Sequence, residues 1–218
     1  LERLSCRDGD ILYLPPHTPH WGIASELCIT YSIGMRAPTI DELRLAAERC
    51  LQRDNMSMPS GDRLFYADPD LTAAEADPGR ISEQAVTRLK AQSLVHDSLV
   101  NMDVATVLGC AVTDPKAWLA PESVTGLDAS ATIADPEPLT VHGMARIAWY
   151  RQEDRGAVYV NGVARPVDVD TLDVISRLCR HRQLGPDDKR KLADGPAGRE
   201  LLLWLLGEGL FDVGDARQ

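Results

Sequence analysis

The stretch "GDILYLPPHTPHWG", residues 9–22, places two histidines three apart behind a short apolar run and a proline pair. Asp8-Gly9 is a turn signal, and Ile11-Leu12-Tyr13-Leu14 is a run of strand formers of the kind that is buried on both faces. Pro15 and Pro16 lack N–H donors and fix φ, so a strand ladder has to stop there. The chain resumes at His20-Trp21 after a stiff loop. Two readings are open on these residues alone: half of a metal site, which needs a well-placed imidazole, or a rigid turn carrying solvated side chains.

Working outward, a polar turn at Ser25-Glu26 leads into Leu27-Cys28-Ile29-Thr30-Tyr31-Ser32-Ile33-Gly34-Met35. Alternation puts Cys28, Thr30, Ser32 and Gly34 on one face and Ile29, Tyr31 and Ile33 on the other. The first face is small and partly polar, suited either to a cavity lining or to a solvent-facing sheet surface. Helices are predicted next. Thr39-Ile40-Asp41-Glu42 fits a capping box, and Leu43, Ala46, Ala47, Cys50 and Leu51 then share a helical face. After a loop-like stretch over 54–80, a second helix opens at Ser82 and carries Val86, Leu89, Leu94, Leu99 and Met102. A third runs near 104–112.

Residues 113–141 contain Pro115, Pro121, Pro136 and Pro138 and read as a linker or wrapped loop. Beyond them a strand is expected over 147–150, and a hairpin turning at Asn161-Gly162, the strongest short turn signal. A helix capped by Asp168 or Asp170 then turns Leu172, Ile175 and Leu178 inward. A last helix passes through 201–206, ends at Gly207 and Gly209, and leaves Leu210-Phe211 for a final strand. Short strands and helices in so few residues suggest a winged-helix-like domain.

The 218 residues carry a net charge of −10, and the excess is uneven. Residues 1–144 hold 11 Lys and Arg against 21 Asp and Glu, whereas residues 145–218 hold 12 of each. An acidic body repels nucleic acid and attracts basic partners. The five cysteines are scattered with no C-x-x-C spacing, which fits reduced thiols in a cytoplasm better than a disulfide framework or a zinc site. No apolar run is long enough to span a bilayer and no signal-peptide pattern opens the chain. The sequence also lacks G-x-G-x-x-G, a Walker loop, H-E-x-x-H and a nucleophile elbow. His96, His142 and His181 have no acidic or cysteine neighbour at ligand spacing and read as surface or core histidines. Starting at Leu1 and turning within ten residues, the chain reads as a segment of a longer protein.

Residues 9–16, Pro19-His20, Tyr31-Ser32-Ile33-Gly34-Met35-Arg36-Ala37-Pro38, Tyr66-Ala67-Asp68-Pro69-Asp70 and Val158-Tyr159-Val160-Asn161-Gly162 together resemble bacterial ribosomal oxygenases. These are cupin-fold jumonji C hydroxylases dependent on Fe(II) and 2-oxoglutarate. The resemblance covers nearly the whole chain in the family's order. It implies an α+β chain with four parts: terminal strands of a double-stranded β-helix over 1–38, a helical dimerisation region over 39–113, a linker over 114–144 and a winged-helix-like domain over 145–218. It further implies hydroxylation of an arginine of a large-subunit ribosomal protein by a homodimer. Separately, the 12-to-12 charge balance of residues 145–218 and the lack of a bilayer-length apolar run lead to no expected binding of DNA or membrane. His20 matches the family's distal iron ligand, Ser32 the strand position facing the iron and cosubstrate, and His17 a position where the family tolerates other residues.

One departure is large. Such an iron takes two histidines and a carboxylate on one face, and the family supplies the first two ligands as His-x-Asp on an earlier strand. No histidine here is followed two residues later by Asp or Glu. One ligand of three is present, and the basic residue for the cosubstrate carboxylate belongs to the same missing part. The expectations are therefore an oxygenase whose N-terminal barrel half lies outside these residues, so that the segment alone is inactive, or a non-catalytic dimeric adaptor for a basic ribosomal partner. A winged-helix regulator is a third reading, weakened by the neutral balance of residues 145–218.

Overall fold

The computed structural model describes residues 3–15, 18–34, 37–39, 42, 43, 45, 46, 66–68, 71, 75–91, 103–115, 129–153 and 155–212. They fall into two units, residues 1–36 and residues 37–218.

In the first unit the predicted turns form and the predicted strands do not. The Asp10 amide donates to the Arg7 carbonyl at 3.0 Å, with Gly9 at φ +88° where a side chain would be strained. The Asp10 carboxylate accepts from the Arg7 amide at 2.8 Å and closes the same turn. After Pro15, the Thr18 amide reaches back to the Pro15 carbonyl at 3.4 Å. No residue described between 3 and 34 belongs to a paired strand, and every one of them is exposed. Ile11 is 96% exposed and Tyr31 89%, so the runs expected to be buried stand in water. The physical reason is that a strand is defined by its neighbours. A hairpin's worth of apolar residues, without further strands to supply a ladder and a core, is marginal in water.

The second unit is built around a three-stranded antiparallel meander of β2 (Ile147–Gln152), β3 (Arg155–Val160) and β4 (Val163–Asp168). Its tight turn is the predicted Asn161-Gly162, with φ values of +48° and +88°. The turn sets the register Val160↔Val163, and β2 pairs with β3 as Ile147↔Val160. That register puts Ala148 opposite Tyr159 on one face and Trp149 opposite Val158 on the other. Both faces are covered, so each strand contributes to two cores.

The first core joins Ala148, Tyr150 and Tyr159 to the helical region. Its helices are α1 (Glu83–Ala91), burying Val86 and Leu89, and α2 (Val104–Thr113), burying Val104, Val107 and Leu108. Leu43, Ala46 and Tyr66 join them. The predicted capping box is realised: Thr39 N donates to Glu42 Oε2 at 2.8 Å, and Glu42 N to Thr39 Oγ1 at 3.1 Å. The second core joins Trp149, Val158 and Val160 to α4 (Val169–His181), α5 (Pro186–Ala193) and α6 (Pro196–Gly207). It is leucine-rich, with Leu172, Leu178, Leu184, Leu202 and Leu205 at 0–1% exposure, each worth about 1.5–3 kcal/mol of burial. Asp168 occupies the N-cap of α4 without a side-chain bond, and Arg182 closes that helix in the left-handed region at φ +56°.

Two features differ from the sequence reading. Part of the stretch expected to be linker is ordered: α3 (Ala129–Ala134) and β1 (Leu139–Thr140) lie in it. β1 pairs with β5 (Gln183–Leu184), and the Val141↔Phe211 bridge extends the contact to the residue pair after α6, Leu210-Phe211. α5 was not predicted, although Gly185-Pro186 followed by Asp187 and Asp188 is a helix-start signal. The segment before α1 also docks as an added edge on β2, through Ile81 N to Trp149 O and Trp149 N to Gly79 O, both 2.8 Å. No described helix is long and apolar enough to cross a membrane.

Candidate functional site

His20 sits in the first unit, two residues beyond Thr18, whose carbonyl lies 3.0 Å from His20 Nδ1. A carbonyl only accepts, so the contact requires the proton on Nδ1 and leaves the Nε2 lone pair outward. Ligating histidines are oriented in this way, with the distal ring N–H held by a carbonyl or carboxylate. The proline-stiffened loop thus presents an exposed imidazole in a ligand-competent tautomer. Ser32 is exposed in the same unit. His17, like His96, lies outside the described residues.

The remaining ligands are the issue. Among the described residues no group of three His, Cys, Asp or Glu side chains could hold a metal ion. His142 is engaged elsewhere: its Nδ1 accepts from the Met144 amide at 3.1 Å, and its Nε2 lies 3.7 Å from Asp212 Oδ1. His181 is exposed at the end of α4. One imidazole does not hold iron and leave a defined open face, so the donors described here do not by themselves fit the metal.

The basic residues at the end of α4 and just past it, Arg177, Arg180 and Arg182, are engaged within the chain. Arg177 pairs with Asp188 through two bonds, at 2.5 and 3.3 Å. Arg180 Nη2 donates to Asp77 at 2.7 Å, and Ser176 Oγ donates to the same carboxylate at 3.0 Å. The Arg180 bond, with help from Ser176, holds the Asp77 carboxyl below the usual carboxylate range. Arg182 Nη2 is turned onto the His142 and Ala145 carbonyls at 3.1 and 3.5 Å. Arg177 and Arg180 are thus paired with carboxylates, whereas Arg182 is held by carbonyls and keeps its charge.

In the region expected to dimerise, the apolar residues at helical spacing, Leu43, Val86, Leu89, Leu94, Leu99 and Val107, are the candidates for a two-fold seam, with packing inside the chain as the alternative. Leu43, Leu89 and Val107 are fully buried and Val86 nearly so, all inside the chain's own first core. They are spent on intramolecular packing, which corrects their assignment to an interface. Leu94 and Leu99 lie outside the described residues.

Sequence reasoning passed over Lys189. Its ammonium is fully buried on α5 and donates to the carbonyls of Thr132, Asp135 and Glu137 at 3.1, 2.6 and 2.7 Å, closing the C-terminal end of α3. Tyr66, buried and beside Asp68, has its phenol pushed up to about 12, and burial does the same to the Cys179 thiol.

A sequence model described as the JmjC domain matches residues 3–43, the stretch holding His20 and Ser32. Among curated proteins the chain is 39% identical over 87 residues to the ribosomal protein uL16 3-hydroxylase of Escherichia coli, covering 39% of this chain and 21% of that protein. It is 28% identical over 109 residues to a probable ribosomal oxygenase of Haemophilus influenzae, covering 46% of this chain and 26% of that protein. The chain therefore spans well under two thirds of the relatives it matches. A solved structure of YcfD, a ribosomal oxygenase from Escherichia coli in complex with cobalt and succinic acid, aligns with 81% of this chain and 46% of its own. The TM-score of that alignment is 0.47 at 23% identity. By the JmjC match over 3–43 and by these curated relatives, the chain is similar to the ribosomal oxygenases.

Proposed function

We propose that this chain is the later part of an Fe(II)- and 2-oxoglutarate-dependent oxygenase that hydroxylates an arginine of a large-subunit ribosomal protein in the cytoplasm. The observation that carries the proposal is the JmjC match over residues 3–43. The 39% identity to a uL16 3-hydroxylase points to the substrate class. In this reading His20 provides one iron ligand and Ser32 faces the cosubstrate. The other two ligands come from a His-x-Asp strand outside these residues. The apolar side chains of residues 11–33 that stand in water support that reading, because the same residues would fill a barrel once earlier strands pair with them. Bound iron would supply the oxidising chemistry; this chain's part is to position one imidazole, orient it through the Thr18 carbonyl, and carry the helical and C-terminal parts.

The C-terminal part, winged-helix-like in its short strands and three helices, serves protein and not DNA. Support comes from Arg177 and Arg180, each paired with a carboxylate. The homodimer is retained as part of the proposal on the family resemblance alone, with its seam away from Leu43, Val86, Leu89 and Val107. Sedimentation as a monomer at micromolar concentration would remove it. A non-catalytic adaptor is the second reading, favoured by the missing second and third ligands. Joining these residues to a barrel half that carries His-x-Asp separates the two readings. An oxygenase then converts 2-oxoglutarate to succinate, and an adaptor does not.

A further inference from the structure

The second unit contains a cavity of about 600 Å³ whose described lining residues fall within 37–182. Its walls are mainly apolar, with Ile81, Ala85, Leu108, Val112, Ile147 and Ala148 among them. That volume and lining suit a small organic molecule held by its apolar body and oriented by a few polar groups.

The polar groups are arginines. Among the described lining residues there are four of them and two carboxylates. Arg88 lies 3.4 Å from Asp68 and Arg80 lies 3.9 Å from Glu75, so these two have partners. Arg146 and Arg182 have none among the described carboxylates. Arg146 Nη1 donates to the Asp114 carbonyl at 3.2 Å, and Arg182 Nη2 to the carbonyls of His142 and Ala145. Arg146 and Arg182 both line the cavity. Each guanidinium has five N–H donors, and the carbonyl bonds leave several unspent.

The geometry points to a binding site for an amphipathic carboxylate. Its apolar tail lies along Ile81, Ala85 and Leu108, and its carboxylate is held by Arg146 and Arg182. A guanidinium matches a carboxylate through two parallel N–H bonds, and a partly enclosed position strengthens them. Inorganic anions lack the apolar body that most of the wall requires, and cations meet the guanidinium groups of Arg146 and Arg182.

Isothermal titration of the 218-residue chain with decanoate below its micelle concentration tests the site. Decyltrimethylammonium and inorganic phosphate serve as controls for tail and charge. Saturable one-to-one binding of decanoate alone is expected. R146Q should weaken it at least tenfold. V112E should abolish it, because it places a carboxylate on the wall at a position already 38% exposed, where glutamate is tolerated. Circular dichroism confirms that both variants are folded. The proposal is overturned if decanoate fails to saturate, if either control binds as tightly, or if folded R146Q and V112E both bind like the wild type.

Discussion

Replacing Lys189 by methionine keeps the volume of the side chain and removes its charge and donors. The ammonium is fully buried and its three acceptors are all backbone carbonyls, two of them past the end of α3. Hydrogen bonds to a charged group contribute about 1.5–3 kcal/mol each when deleted singly, but three on one ammonium are not additive. Two offsets apply. Asp135 and Glu137 are exposed residues, so water can reach their carbonyls, and the methionine no longer has to desolvate a charge. A net loss of about 3 kcal/mol follows, which for a chain of this size lowers Tm by roughly 6–12 °C. Differential scanning calorimetry of wild type and Lys189→Met reads it directly. Limited proteolysis should also show new cleavage within residues 129–138, where the latch has been released. A Tm within about 1 °C of the wild type would show that the three carbonyls are satisfied without the lysine.

Gly109→Ala sets two effects against each other: about 1 kcal/mol of helix propensity gained, and a Cβ placed 2.5 Å from three ring atoms of the fully buried Tyr159. Overpacking of about 1–3 kcal/mol wins, so the urea midpoint should fall at constant m, and a raised midpoint would contradict the packing. With its thiol pushed to about 12, Cys179 is thiolate at pH 8 to only about 1 part in 10⁴. Mass mapping after a short dithionitrobenzoate treatment should find Cys6 and Cys28 labelled and Cys110 and Cys179 intact; rapid labelling of Cys179 in folded protein would be the contrary result. Asp77, with its carboxyl lowered by Arg180, contributes stability that is present above the unfolded carboxyl's value of about 4 and is lost as pH falls through the folded value. Both partners are partly in water, so Asp77→Asn should cost about 1 kcal/mol or less at pH 7, and its Tm gap to wild type should close on acidification. A gap that is constant with pH would mean the carboxylate is not what the clamp uses.

How far the sequence could be read depended on whether the signal was local. The Thr39 capping box, the Asn161-Gly162 hairpin and the inward face of Leu172, Ile175 and Leu178 are fixed by neighbours within four residues, and each forms as expected. The strands expected over 11–14 and 27–34 failed to pair because pairing depends on partners elsewhere in a fold, and alternation specifies only which face would be buried. The same limit explains the seam. Helical spacing marks Leu89 and Val107 as buried, and only the meander beneath them shows against what. Lys189 was invisible for a further reason: a lysine in a polar stretch reads as solvated, and its acceptors lie 52–57 positions away. Of the candidate site, residue identity was legible in the PPxxPH loop, while the Thr18 carbonyl that sets the His20 tautomer needed coordinates.

The role of His20 can be measured directly in the longer polypeptide that carries both the His-x-Asp strand and these residues. Anaerobic Fe(II) titration, followed by succinate release from 2-oxoglutarate in air, should show one tight iron site and steady turnover. In His20→Ala both should be lost, with Tm unchanged before metal is added. Retention of iron affinity and turnover by folded His20→Ala would contradict the assignment of this loop as a ligand.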